Sequence, residues 1–326
     1  MKISELQSKY LICNQLHLAY YTKKKYMRAM FSLIKAVGDV EMVNVGRSEC
    51  RLFQNYLAKN GLNAASITSE CKAVSPFFSL ALEEGWISAN PFFRLKKLRC
   101  AKTVNPIYAP EQFQALIDTA DTLIWKIRLL LGYTPCGLRR AEVLHLRVCD
   151  LDFQHQIIKI QVRQEAETVL GWNPKDKDSR IVPMTEELER LLALRINEMP
   201  EGQPYLCLTE KNYRSILRKL ATGTVTDNLR LQVDWAFNKD FRKLSHNAAT
   251  KHRNTLSPAD IDFVRKGVFK YLRKNTASDL LDNGISITTV KEIMGHSDIK
   301  TTMESYYNNG RYSDMSKARK MGYSAI

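Results

Sequence analysis

Residues 85–106 read GWISANPFFRLKKLRCAKTVNP, and the reading of this stretch decides the fold. Gly85 follows a helix-like run, Asn90-Pro91 and Asn105-Pro106 are turn-forming pairs, and a basic run from Arg94 to Lys102 lies between them. Glycine has no side chain to restrict its backbone and proline has no amide hydrogen to donate, so such pairs interrupt regular structure. Helix-like sequence resumes at Pro110. A domain boundary is therefore expected at about residues 98–106, with one domain over 1–100 and a second over 101–326.

Upstream of the boundary the pattern is helical. Runs from about Thr22 to Val37, Arg47 to Asn60 and Ser66 to Glu84 carry apolar residues at helical spacing. In the second run Cys50, Phe53, Tyr56 and Leu57 fall on one face, which suits a core, and Gly61 stands where a left-handed C-terminal cap belongs. Downstream, Glu111 to Leu131 reads as one helix, followed by the turn Tyr133-Thr-Pro-Cys-Gly137 and a further helix to about Leu146. The β content is small. Ile157, Ile158, Ile160 and Val162 suggest one strand, Thr168–Trp172 a second and Arg180–Pro183 a third, with Lys175–Ser179 as a polar hairpin turn. Thr185 can then cap a helix bearing Leu188, Leu191, Leu192 and Arg195 on one side. The expected fold is mainly α with a small β-sheet (α+β), a helical N-terminal domain followed by a mixed α/β domain.

The 326 residues, 44% hydrophobic, suffice for ordinary cores in both domains. Lys and Arg number 49 against 34 Asp and Glu, a formal charge of +15, and residues 205–275 alone hold 15 cations against 6 anions, a local excess of +9. Such a surface suits a polyanion gripped through its phosphates, nucleic acid first, while a solvated basic face is the plainer alternative. The seven cysteines (Cys13, Cys50, Cys71, Cys100, Cys136, Cys149, Cys207) are scattered, odd in number and never spaced as CxxC. That argues against a disulfide framework or a zinc site and suits a reducing cytoplasm. The N-terminal stretch is broken by Glu5, Gln7, Lys9 and Asn14, so it lacks the apolar core of a secretion signal, and no membrane-spanning apolar run occurs.

Four motifs follow in order: GLRRAE from Gly137, PKDKDSRIVP from Pro174, KYLR from Lys270 and MGHSDIKTTMESYY from Met294. Gly137 ends a turn, and Arg139 is placed in the first turn of the next helix, where a guanidinium and free amides can face a phosphate. Glu142, three residues on, shares its face and can hold that guanidinium; an exposed helix salt bridge explains the same pattern. Lys175 opens a charged turn into an apolar strand, as any solvated hairpin would. Arg273 lies at the start of a helix bearing Ala277, Leu280 and Leu281 and ended by Gly284, and His296 follows the turn glycine Gly295.

In their order from Arg139 to Tyr306, these motifs resemble the tyrosine recombinase (phage integrase) family, over almost the whole chain. The resemblance implies a SAM-like core-binding domain at the N-terminus and a catalytic domain after it. It makes Arg139, rather than Arg140, the first catalytic arginine, and Arg273 the second. Lys270 stands where histidine is commoner. A lysine keeps three mobile donors but, with an unperturbed pKa of ~10.4, is a poorer base at neutral pH; a plain surface residue is the alternative. Lys175, with Lys177 in the alternative register, is implied as the general acid for the departing 5′-oxygen. His296 matches the LGH box with Met294 for leucine, and would donate to a non-bridging oxygen. Tyr306, ten residues after His296, is the implied nucleophile; Ser305 occupies offset nine, Tyr307 offset eleven, and Thr302 four residues earlier favours Tyr306.

These residue types suit a phosphodiester, whose charge repels nucleophiles and grows in the transition state. A cationic pocket also favours the phenolate of a tyrosine whose ordinary pKa is ~10. A covalent link conserves the energy of the broken bond, so no ATP is expected, consistent with the absence of a GxxxxGK[ST] loop. Cationic side chains replace the charge a metal would bring, so neither metal nor other cofactor is expected. The implied activity is that of a site-specific DNA recombinase or integrase, acting through a 3′-phosphotyrosyl intermediate as a homotetramer on two duplexes with Holliday-junction strand exchange. Double-stranded DNA is the partner, with accessory DNA-bending or directionality proteins as further candidates, no membrane, and a bacterial or phage-encoded, cytoplasmic setting. The basic linker would let two domains close around a duplex, or serve as a tether, and the tail from Gly310 to Ile326 would pack on a neighbouring subunit. Type IB topoisomerase-like relaxation and a non-catalytic DNA-binding role are the rivals.

Overall fold

Helix-forming sequence dominates both parts of the computed structural model, which describes residues 1–14, 20–96, 98, 106–163, 169–170, 172–174, 179–224 and 226–306, without the side chains of 20, 226–228, 231, 301 and 304–306. The chain divides into two units, Met1–Thr103 and Val104–Ile326.

In the first unit α1 (Ile3–Cys13), α2 (Tyr20–Val37), α3 (Arg47–Lys59) and α4 (Ala64–Glu83) enclose a core that includes Leu6, Met30, Leu33, Phe53, Phe77 and Phe78. The first helix arises from a stripe of Ile3, Leu6 and Tyr10, all buried. Gly61 closes α3 at φ +80°, a conformation that would strain any side chain. Asn63 caps α4, its side-chain oxygen accepting from the Ser66 amide at 2.9 Å. Glu70, buried on α4, is paired with Arg28 of α2.

The second unit departs from expectation at three places. The run expected as one helix is two, α5 (Pro110–Thr119) and α6 (Leu123–Gly132). Thr122 causes the break, because its hydroxyl accepts from the Trp125 amide at 3.3 Å and starts a new helix. Arg139 is not inside the next helix, α7 (Arg140–His145), but is its N-cap residue in extended conformation. Among the described residues an antiparallel sheet of three strands runs β1 (Leu151–Asp152), β2 (Ile157–Ile160), β3 (Arg180–Pro183); of the strand expected over Thr168–Trp172 only Val169, Leu170 and Trp172 are described, none of them in a strand. Val169 and Leu170 form a turn, and the Trp172 ring stacks on His145 at 4.8 Å and 7°; that aromatic contact outweighs β propensity there. β2 stops at Ile160, short of Val162. Beyond it side chains replace the ladder: the Val162 amide donates to Ser179 Oγ at 3.1 Å, and Asn173 accepts from the Arg163 amide at 2.7 Å while donating to its carbonyl at 2.8 Å.

Ile158 pairs with Val182 and Ile160 with Arg180 in the β2–β3 register. After the sheet come α8 (Glu186–Glu198), capped by Thr185 as expected, α9 (Glu210–Ala221), α10 (Thr226–Lys251) and α11 (Pro258–Lys266). Last are α12 (Lys270–Asp282), α13 (Ile287–Met294) and α14 (Ile299–Tyr306). The element that seats the site is α12. Asn275 accepts from the Tyr108 amide at 2.9 Å and donates to its carbonyl at 2.7 Å. Thr276 lies so close under Gly137 (φ +55°) that a Cβ there would come within 2.8 Å of it. The turn before α7 is thus pressed onto α12. No helix among the described residues is long and apolar enough to cross a membrane.

Candidate active site

Glu142, on the inner face of α7, is fully buried, and three arginines converge on it. Arg180 from β3 donates to both carboxylate oxygens, at 2.9 and 2.6 Å. Arg139 donates through its guanidinium at 3.0 Å and its own amide at 2.7 Å, and Arg273 of α12 stands 4.0 Å away. Burial alone would push this carboxyl up. The hydrogen bonds and charge of Arg180, then the charges of Arg273 and Arg139, hold it below the usual carboxylate range instead. Among the described residues, three guanidiniums meet one carboxylate here, two positive charges in excess.

The same arginines meet a second set of acceptors. Helix α13 ends at Gly295, which is left-handed at φ +57°. The Ile293 carbonyl accepts from Arg180 Nε at 2.9 Å, the Met294 carbonyl from Arg273, and the Gly295 carbonyl from Arg139 at 2.7 Å. Three consecutive carbonyls at the negative end of a helix are met by three cations from three other elements. Arg273 also donates to the Gly137 carbonyl at 2.5 Å, tying α12 to the turn before Arg139.

His296 follows directly. Its Nδ1 shares a 2.8 Å hydrogen bond with Thr302 Oγ1, and Thr302 is completely buried on α14, which packs on α12 and α13. Tyr306 is the last residue of α14, one helical turn beyond Thr302, and its side chain lies outside the described residues. Lys270 opens α12 one turn before Arg273 and is exposed; the neighbouring Lys274 ammonium is pushed down by burial and then by the charge of Lys270. Lys175, its alternative Lys177, Tyr307 and the tail after Gly310 all lie outside the described residues. Pro174 and Ser179, which flank Lys175 and Lys177 in sequence, line one cleft with Arg139, Arg180, Gly295 and His296.

Of the sequence candidates, Arg139, Glu142, Arg273 and His296 are thus brought together. Arg180 is the member of the cluster that the motifs did not single out. A signal was present: in a strand of period two, Arg180 shares a face with Val182, which is buried, while Ile181 between them is 58% exposed. A cation on the inward face of a strand requires a buried acceptor.

Comparison with known proteins follows the same order along the chain. Residues 107–312 match the model of the phage integrase family, and residues 8–98 that of the phage integrase SAM-like domain. A XerC-like tyrosine recombinase of Caldanaerobacter subterraneus subsp. tengcongensis is 25% identical over 308 residues, covering 89% of this chain and 71% of the relative. The ICEBs1 integrase of Bacillus subtilis is 24% identical over 298 residues, covering 88% and 73%. Among solved structures, the Tn1549 transposon integrase in complex with a circular intermediate DNA superposes with a TM-score of 0.73 at 19% identity, over 98% of this chain and 99% of the other. A lambda integrase bound to a core site gives 0.64 at 13%, over 95% and 97%. These likenesses are of fold. With its two parts matched in order by the two family models, the chain belongs to the phage integrase family and is a tyrosine recombinase.

Proposed function

We propose that this chain is a site-specific DNA recombinase of the integrating type, which cleaves and rejoins DNA through a 3′-phosphotyrosyl intermediate. The observation that carries the reading is the convergence of Arg139 and Arg273 on the buried Glu142 beside His296. Such a cluster favours an oxyanion whose charge grows during reaction. In this reading Arg139, Arg273 and His296 hold the scissile phosphate. The Tyr306 phenol gives its proton to solvent and its oxygen attacks phosphorus, the bond to the 5′-oxygen breaks, and the Lys175 ammonium protonates that oxygen. Lys270, exposed at the start of α12, donates to a phosphate oxygen from the rim. Two duplexes, a homotetramer and a Holliday-junction intermediate complete the exchange, without metal or ATP, since the cations of the site supply the charge and the phosphotyrosine stores the bond energy.

The test is a nicked suicide duplex carrying the cognate site, in chelator and without nucleotide. A covalent protein–DNA adduct is expected from the wild type, and none from Tyr306→Phe. Absence of an adduct from the wild type, or its persistence in Tyr306→Phe, overturns the assignment. With two intact cognate sites, recombinant products support exchange between duplexes, whereas supercoil relaxation alone contradicts it.

A further inference from the structure

We propose that Arg180 is a positioning residue of this active site, fixing Arg139, Arg273 and His296 through Glu142 and the end of α13 without itself touching DNA. The inference rests on the recombinase reading above and adds a residue that its chemistry does not name.

Three observations carry it. First, the Arg180 side chain is only 9% exposed, so its guanidinium is committed inward. Its fork spans both oxygens of Glu142 while Nε reaches the Ile293 carbonyl, so one planar group joins three elements: β3, α7 and α13. Second, the left-handed turn that presents His296 is moulded on it, since a Cβ at Gly295 would approach Arg180 Cδ to 2.9 Å. Third, the buried carboxylate is shared. With Arg180 in place Glu142 has a partner besides the two arginines proposed for the phosphate. Without it, Arg139 and Arg273 are the charge partners left to Glu142 among the described residues, and both guanidiniums are drawn towards it. Lysine cannot substitute, because a single ammonium does not present the fixed fork that bridges a carboxylate and a carbonyl.

Arg180→Lys and Arg180→Gln are to be compared with wild type in single-turnover adduct formation at saturating suicide duplex, at a temperature where circular dichroism shows each protein folded. The rate is expected to fall about 10- to 100-fold, the scale of a misplaced reacting group, with the DNA dissociation constant within about twofold and the salt dependence of binding unchanged. A merely structural residue would lower the unfolding temperature without this split between rate and affinity. If Arg180→Gln does not fold, Arg180→Lys, which keeps the charge, decides. Wild-type rates in folded variants overturn the inference. So does a salt slope reduced by about one, which would make Arg180 a direct phosphate ligand. Failure of the wild type to form any adduct is a separate outcome, which removes the recombinase reading and the positioning role together.

Discussion

Glu142 and Thr302 place two catalytic candidates by different means, and each can be tested singly. Glu142 is a buried anion held by arginines. Glu142→Gln leaves those guanidiniums without their charge partner, a change that costs about 3–5 kcal/mol where a buried pair is broken. Urea unfolding is expected to show the loss, and adduct formation to fall with it. Because its carboxyl is held below the ordinary range, Glu142 contributes stability above the carboxylate pKa of the unfolded chain, and that contribution is lost as pH falls through the lower native value. Thr302 acts more gently. Thr302→Val keeps the shape but deletes the hydroxyl at 2.8 Å from His296. A stability loss of about 1 kcal/mol is expected, with slower adduct formation and unchanged DNA affinity; an unaltered rate would show that His296 needs no such support.

Among the elements, the end of α13 is the most constrained. Gly295→Ala must accommodate both a positive φ and contact with Arg180, and is expected to cost more than the roughly 1 kcal/mol of a left-handed alanine alone. Gly223→Ala, at φ +78° with open space around it, serves as the control. The two thermal unfolding shifts should differ, with cleavage impaired only in Gly295→Ala. The same element shows what sequence could deliver. Gly295 was legible as a turn glycine after a helix-like run, His296 through its match to the family's LGH box, and the Thr185 cap because a hydroxyl precedes a periodic run. The Thr122 break was not, since Glu111 to Leu131 keeps its apolar pattern across a break of three residues. Nor was the role of Trp172, a ring stacked on a residue 27 positions away. Local periodicity reports helices and strands; it does not report which distant side chain meets an inward arginine or an indole.

For the whole protein, pH and salt give separable readouts. His145 is buried against Trp172, and burial, then the nearby Arg230 charge, push its pKa down to about 3. The unfolded chain takes up this proton near the ordinary value of ~6.5 and the native protein does not, so stability rises with pH between those limits and declines on acidification below about 6.5. The slope from this group is on the order of 1 kcal/mol per pH unit, and His145→Gln should flatten it in denaturant titrations across that window. Salt reads the basic surface instead. On α10, Lys239 and Arg242 are exposed, and Lys239 Nζ lies 5.3 Å from the indole centroid of Trp235, itself 66% exposed. The double change Lys239→Gln and Arg242→Gln is expected to weaken DNA binding regardless of sequence and to reduce the salt slope by about two, leaving cleavage at saturating DNA intact.

The three carbonyls at the end of α13 bear on how the protein is made. Their arginines come from positions 139, 180 and 273, and the carbonyls from 293 to 295, so the pocket gathers residues 156 positions apart. A chain still on the ribosome, released early or clipped before residue 293 has the arginines without the acceptors that order them. Under the proposed chemistry, cleavage is thus expected only once residues 293–295 have folded against the arginines, and a fragment that stops short of them should form no covalent adduct with the suicide duplex.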